Sequence, residues 1–197
     1  PSAARAVFEA ILWKPAIRWR ITRIEVLQPV RWTSVRRNEV GAVASSRNAL
    51  TAMNEGHGEL ALYIEEERQQ RASLLLRDVA YRLHADMEMV GEDARANPNK
   101  YIAMFNRRAE AGQCVNQPYL GCREFAAAFR AVELAADGRG GWCVGSDEPS
   151  ALEDWSPDLG WMLYDMDFAA VDDPKPRFFR ADMQRGVIDL STAQVMG

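Results

Sequence analysis

Between Leu74 and Val90 the chain alternates with a period of two, and no other stretch constrains the fold as tightly. Val79, Tyr81, Leu83, Ala85, Met87 and Met89 fall on one side; Arg82, His84, Asp86 and Glu88 fall on the other. Strand side chains point to opposite faces in turn, so this run predicts one long strand with an apolar face and a wet face. A second alternation from Trp19 to Leu27 sets Trp19, Ile21, Arg23, Glu25 and Leu27 against Arg20, Thr22, Ile24 and Val26. Both of its faces are partly apolar, and Pro29 bounds it as a strand. Residues 119 to 134 predict a further strand, and Leu159 to Phe168 with Arg177 to Ile188 predict a terminal hairpin or small sheet.

Two helices separate these strands. The first runs from a Ser2 cap to about Trp13, with Val7, Ala10 and Ile11 on one face and Pro15 ending it. The second has Asn97 as cap, Pro98 at its first position, Ile102, Phe105 and Ala109 as its apolar stripe, and Gly112 as terminator. Residues 33 to 70 predict a long, polar, irregular connection containing Gly56-His57-Gly58 and the acidic run Glu65 to Glu67. Loops of that length inside a compact domain are functional or mobile. Gly138 to Gly141 predicts a flexible turn without the spacing of a phosphate-binding loop. The order helix, strand, strand, helix, strand becomes β-α-β-β-α-β once a strand is added in front. The expected class is α+β: a ferredoxin-like (RRM-like) domain lacking its first strand over residues 1–134, then a small antiparallel β domain over 135–197. On this reading the chain is truncated at its N-terminus.

A chain of 197 residues buries a core without needing disulfides or a metal. Its net charge of −4 conceals a gradient: +6 over residues 1–50, −2 over 51–130 and −8 over 131–197. Every basic residue of the first segment except Lys14 is arginine, whose planar fork suits phosphate. An anion-binding front half and a merely uneven solvated surface both fit this gradient. Three cysteines without a CxxC pair, and two histidines, point away from a disulfide framework and a zinc site. No apolar run approaches the ~18 residues of a membrane helix, and no signal peptide is visible. A cytoplasmic protein with no membrane partner and no cofactor is the simplest expectation.

Several blocks stand out together: Pro1-Ser-Ala-Ala-Arg5, Glu9-Ala-Ile-Leu-Trp-Lys-Pro15, Arg36-Arg-Asn-Glu-Val40, Arg68-Gln-Gln-Arg71 and Pro118-Tyr-Leu-Gly-Cys-Arg-Glu-Phe125. Asp158-Leu-Gly-Trp-Met-Leu-Tyr-Asp-Met-Asp-Phe168 and Phe178-Phe179 continue the series. They resemble the CRISPR-associated Cas five-d family, the precursor-processing subunit of type I-C interference complexes, over essentially the whole chain. The resemblance implies an RRM-like domain followed by a small β domain, and metal-independent cleavage at the stem base of the CRISPR repeat hairpin. It implies precursor and mature CRISPR RNA, a backbone subunit and a large subunit as partners, with retention on the 5′ handle. Family members start well before the position matching Pro1, with the first strand of the sheet.

Metal-independent RNA cleavage requires a deprotonated 2′-hydroxyl, a stabilised phosphorane and a protonated 5′-oxygen. In the family these tasks fall to an aromatic or histidine residue before the Trp-Lys-Pro block, and to a Lys-His pair opening the second helix. The matching positions here are Leu12, Lys100 and Tyr101. Leucine transfers no proton, and tyrosine, with an ordinary pKa near 10, is a poor base at neutral pH. Lys100 keeps a charge-stabilising role at the amino end of its helix; the bland reading makes Lys100 and Tyr101 first-turn surface residues.

For RNA binding the resemblance favours Arg5, Arg18, Arg20, Arg23, Arg31, Arg36 and Arg37 on phosphates, with Arg68, Gln69, Gln70 and Arg71 adding donors. Trp13, Trp19 and Trp32 are candidates for base stacking, although core packing is the preferred reading of Trp19. His84 on the wet face and His57 between glycines read as solvated before they read as catalytic. Asp165 and Asp167 share a strand face, which reads as solvated or as an arginine partner before it reads as a divalent-ion site, and Cys122 reads as structural. Three functions remain open: a processing endoribonuclease, a non-catalytic subunit that clasps RNA, and an isolated domain with general affinity for nucleic acid, DNA included.

Overall fold

The computed structural model describes residues 1–58, 60–91, 97–132, 142–145, 150–152, 154–170 and 172–197. In chain order its elements are α1 (Ser2–Ile11), β1 (Ile17–Val26), β2 (Trp32–Val40), α2 (Ser46–Glu55), α3 (Ile64–Glu67), β3 (Arg68–Leu76), β4 (Tyr81–Met89) and α4 (Pro98–Glu110). There follow β5 (Arg130–Ala131), β6 (Trp142–Gly145), β7 (Asp158–Asp167), β8 (Lys175–Gln184), β9 (Val187–Asp189) and β10 (Val195–Met196). They form two compact units, one of Pro1–Pro29 with Val79–Gly197 and the other of Val30–Asp78. The expected boundary at 134/135 lies outside the described residues, as does the Gly138–Gly141 turn.

The first unit is a mixed helix and antiparallel-sheet structure. Its strands run β10-β8-β9-β1-β4-β6-β5, with β7 on β8; β7 and β8 form a hairpin, but the strand expected from Arg177 to Ile188 breaks at a left-handed Arg185-Gly186 turn into β8 and β9. Helices α1 and α4 bring Phe8 and Phe105 onto Trp19 of β1, with ring centroids 5.1, 5.7 and 4.6 Å apart. Trp19 is only 2% exposed, and its indole N–H donates to the Leu12 carbonyl at 2.8 Å, so a large apolar ring is buried without a lost hydrogen bond. Helix α4 begins and ends as its sequence predicts. The Asn97 side chain accepts from the Asn99 N–H, Pro98 occupies the first turn, and Gly112 takes a left-handed φ of 64°. In α1, by contrast, Ser2 is already helical and caps nothing; Pro1 holds the cap position.

A bulge in β1 explains why both faces of its sequence are partly apolar. Ile21 pairs with Ala85, but the next partner pair is Arg23 with His84. The extra residue reverses the alternation. Trp19 and Ile21 face the core before it, Ile24 and Val26 pack against the core after it, and Arg23 and Glu25 turn to the other face with His84 and Arg82.

The second unit overturns the irregular connection expected over residues 33 to 70. Strands β2 and β3 pair antiparallel through nine residues each, Trp32 with Leu76 to Val40 with Arg68. Helix α2 is capped by the Ser45 hydroxyl, which accepts from the Asn48 N–H at 3.2 Å, and it closes on left-handed Gly56. Polar residues alternating on a two-stranded ribbon look like loop in a sequence because no buried face marks the period. The long strand expected from Leu74 to Val90 is two strands. Its alternation runs on through a turn where Asp78 adopts φ 53°, a conformation that aspartate tolerates. Residues 119 to 134 are not one strand either. A single bridge joins Tyr119 to Ala126, and β5 spans two residues.

Candidate nucleic-acid interface

Four of the predicted RNA-binding residues line one groove of the first unit, a space of about 590 Å³. Arg5 comes from α1, Trp13 from the turn that follows, and Arg18 and Arg20 from the solvent side of β1; Lys14, Asp165, Asp167 and Arg177 line it as well. Pro15 stops the helix, so Trp13 and Lys14 sit on a short turn, where Trp13 is 60% exposed.

The groove's cations are not equivalent. Arg5 donates twice to the Asp165 carboxylate, at 3.1 and 3.0 Å, and once to Glu9 at 2.7 Å. Partial burial works against its charge, but the bonds to Glu9 and Asp165 outweigh burial and raise its pKa above the usual arginine value. Arg20 is held between Asp86 and Glu88, with Nε donating to Glu88 at 2.6 Å. Arg18 and Lys14 are exposed, and neither has an ion-pair partner among the described residues. Asp165 is thus an arginine partner, one of the two readings its sequence position left open.

Arg23 lies on β1 beyond the groove lining, and the remaining candidate arginines lie on the second unit. Arg31 precedes β2 and sits 3.8 Å from Asp78. In the ribbon, Arg36 and Arg68 fall on one face, while Arg37 and Arg71 share the other with Glu39, at 3.7 and 3.4 Å.

The candidate catalytic pair lies apart from the groove lining. Lys100 is exposed on the first turn of α4, its Nζ 5.8 Å from the Tyr101 ring centroid, and Tyr101 is half-buried against the core. Leu12 is 1% exposed and belongs to the core, so no side-chain chemistry is available there. His57 is exposed beyond α2.

Sequence reasoning missed the surroundings of His84. The histidine is buried, not wet. Its Nε2–H donates to Glu25 Oε1 at 2.6 Å, and its Nδ1 lies 3.3 Å from Arg23 Nη2. Arg82 donates to the other Glu25 oxygen at 2.6 Å. The His84 hydrogen bond, opposed by burial and reinforced by Arg82, holds the Glu25 carboxyl at about 2. The signal was present in the sequence, because a bulge was the one way to bury both halves of β1, but the alternation alone does not locate it.

Helices and antiparallel sheet define an α+β protein whose first unit carries a groove lined by Trp13 and by basic and acidic side chains in nearly equal number. Comparison with known proteins gives the family. The sequence profile described as CRISPR-associated protein (Cas_Cas5), in its Cas5d form, matches residues 1–191. The chain belongs to the Cas5d family, the Cas five-d family that its sequence blocks resemble. It is 43% identical to the CRISPR pre-crRNA endoribonuclease Cas5d of Mannheimia succiniciproducens, across 96% of this chain and 81% of that protein. It is 38% identical to the protein of the same name from Thermus thermophilus, across 88% of this chain and 63% of that one. A functionally uncharacterized protein from Streptococcus mutans superposes with a TM-score of 0.58 at 20% identity, covering 100% of this chain and 84% of the other. A CRISPR-associated protein does so with 0.58 at 18%, covering 100% and 83%. These likenesses support the fold alone. No helix among the described residues is long and apolar enough to cross a membrane.

Proposed function

We propose that this chain binds precursor CRISPR RNA repeats in the cytoplasm, cuts them at the stem base without metal, and stays on the 5′ handle within a type I-C interference complex. The observation that carries the reading is the 43% identity, over nearly the whole chain, to a relative named as a pre-crRNA endoribonuclease. The groove supports it with a stacking ring at Trp13 and open cations at Lys14 and Arg18. The ferredoxin-like reading of the first unit is supported by α1, β1, β4 and α4 following in that order, with β1 antiparallel to β4. In the cleavage step the 2′-oxygen attacks the adjacent phosphorus, the bond to the 5′-oxygen breaks, and a cyclic phosphate and a 5′-hydroxyl result. Lys100 stabilises the charge that develops on the phosphoryl oxygens, Tyr101 donates its phenolic proton to the departing 5′-oxygen, and the 2′-hydroxyl proton passes to water, from which the tyrosinate is reprotonated.

A second reading has its own observation. The side chain at the position of the family's proton-transferring residue is Leu12, apolar and buried. That favours a subunit that clasps RNA without cutting it, beside backbone and large subunits that would then rely on another nuclease.

The two part in one experiment: incubation of the protein with its repeat RNA in EDTA, beside Lys100→Ala and Tyr101→Phe. Cleavage at a single stem-base position, slowed at least about a hundredfold by Lys100→Ala with RNA affinity retained, is the expected result. Cleavage unaffected by either substitution removes both residues from the mechanism. Salt-sensitive binding with the RNA left intact establishes the clasping reading.

A further inference from the structure

The block Pro118 to Phe125 takes no part in the groove or in the candidate catalytic pair. Its backbone is nonetheless firmly held. Val115 N–H donates to the Ala10 carbonyl at 2.7 Å, Ala127 N–H to Pro118 at 2.8 Å, and the Gln117 side-chain amide to Ala127 at 2.9 Å. The bridge between Tyr119 and Ala126 closes the neck, and Phe125 N–H closes a turn onto the Cys122 carbonyl at 3.1 Å. Gly121, at φ 105°, makes the bend that other residues resist. The fixed loop holds Tyr119 42% exposed and Phe125 51% exposed, with Leu120 and Arg123 beside them.

A soluble protein gains nothing for its own fold by fixing aromatic rings in water, whereas a ligand that stacks on them gains from their prior ordering. Charge indicates which ligand. Residues 97–132 carry Lys100, Arg107, Arg108, Arg123 and Arg130 against Glu110 and Glu124, a balance of +3 in a chain whose total is −4. Arg123 has no ion-pair or hydrogen-bond partner among the described residues. The tie from Val115 to Ala10 also sets the loop against the end of α1, the helix that leads into Trp13.

We infer that the 118–127 loop is a second RNA contact, in which Tyr119 and Phe125 stack on unpaired bases and Arg123 meets the adjoining phosphate. The inference rests on the RNA-binding reading above and adds to it a separate site for single-stranded nucleotides.

The test measures affinity for a repeat RNA with its unpaired flanks and for the same stem-loop trimmed of them. The proteins are the unsubstituted chain and the double variant Tyr119→Ala with Phe125→Ala. The double variant is expected to lose on the order of tenfold or more on the flanked RNA and to bind the trimmed RNA unchanged. Equal loss on both RNAs, or loss on neither, overturns the loop's role while leaving RNA binding intact. If the unsubstituted chain binds neither RNA, the parent reading falls and this one with it. Phe125→Trp against Phe125→Leu guards against a folding artefact: retained flank binding in the first and loss in the second support stacking, and identical behaviour overturns it. Unchanged RNA affinity with lost association to a protein partner would assign the loop to that partner instead.

Discussion

The first unit buries Phe8, Trp19 and Phe105 as one aromatic cluster, while no described residue of the second unit is buried. Yet the second unit is locally well made, with a nine-pair ribbon, a capped helix and a glycine terminator. Hydrogen bonds and caps suffice to write elements; apolar burial makes a unit cohere. Leu50, Met53, Leu60, Leu62, Leu74 and Trp32 all remain exposed there. The sharpest way to break this contrast is truncation in each unit. Trp19→Ala should cost about 3–5 kcal/mol in chemical denaturation, because it empties the centre of the core. Leu74→Ala should stay within about 0.5 kcal/mol, because its side chain is already in water. Equal costs would mean that the second unit has a core of its own.

The same contrast holds for charge. Glu25 of the first unit is part-buried between His84 and Arg82, whereas Glu39 of the ribbon meets Arg37 and Arg71 at 3.7 and 3.4 Å, with Arg71 exposed and the other two side chains about a third exposed. The folded Glu25 carboxyl, at about 2, lies below its ordinary 4.5. A carboxyl depressed in this way contributes stability that is complete above the unfolded value and is lost as the pH falls through the folded one. Glu25→Gln should therefore destabilise the protein by a constant amount at neutral pH, and the difference from the unsubstituted chain should shrink between 4.5 and about 2. Glu39→Gln should cost at most about 1 kcal/mol, as exposed pairs do. Denaturation midpoints taken across that pH range decide the matter, and a Glu25→Gln difference that persists unchanged at the acid end would show that the carboxylate's charge is not what stabilises the fold.

These differences also explain what could be read from the residues. Helix α4 was legible to its ends because Asn97, Pro98 and Gly112 each act through their own backbone geometry. The β7–β8 hairpin was legible chiefly from β8, where Phe179, Ala181 and Met183 alternate with Arg180, Asp182 and Gln184, while β7 offers an unbroken apolar run from Trp161 to Tyr164. Strands β2 and β3 were not, since a ribbon without a buried face leaves no period to find. The β1 bulge escaped for the opposite reason: two correct periods, out of phase by one residue, read as a single ambiguous strand. Arg5, Trp13, Arg18 and Arg20 of the groove stood in the sequence within a longer series of candidates, and nothing in the residue types set them apart from Arg31, Arg36, Arg37, Arg68 and Arg71. Which of the groove's arginines was already neutralised depended on Asp165, Asp86 and Glu88, and only the long-range pairing of strands and helix brings these acids close.

That distinction gives the finest separation, because it sorts arginines within each unit. An arginine free to meet phosphate releases a counterion on binding and adds about 0.7–0.9 to the salt slope of the affinity. One already locked to carboxylates must first exchange them, so its net contribution is smaller. Arg18 and Arg36 are exposed without ion-pair partners among the described residues, while Arg20 is paired with Asp86 and Glu88, and Arg37 with Glu39 and the Ser73 hydroxyl. Arg18→Ala and Arg36→Ala should each lower the slope of log affinity against log salt by nearly 1, with the melting temperature unchanged. Arg20→Ala and Arg37→Ala should each lower it by less than half as much. If the paired arginines prove the more costly, RNA displaces the acids on binding, and the ion pairs hold those side chains in place for phosphate.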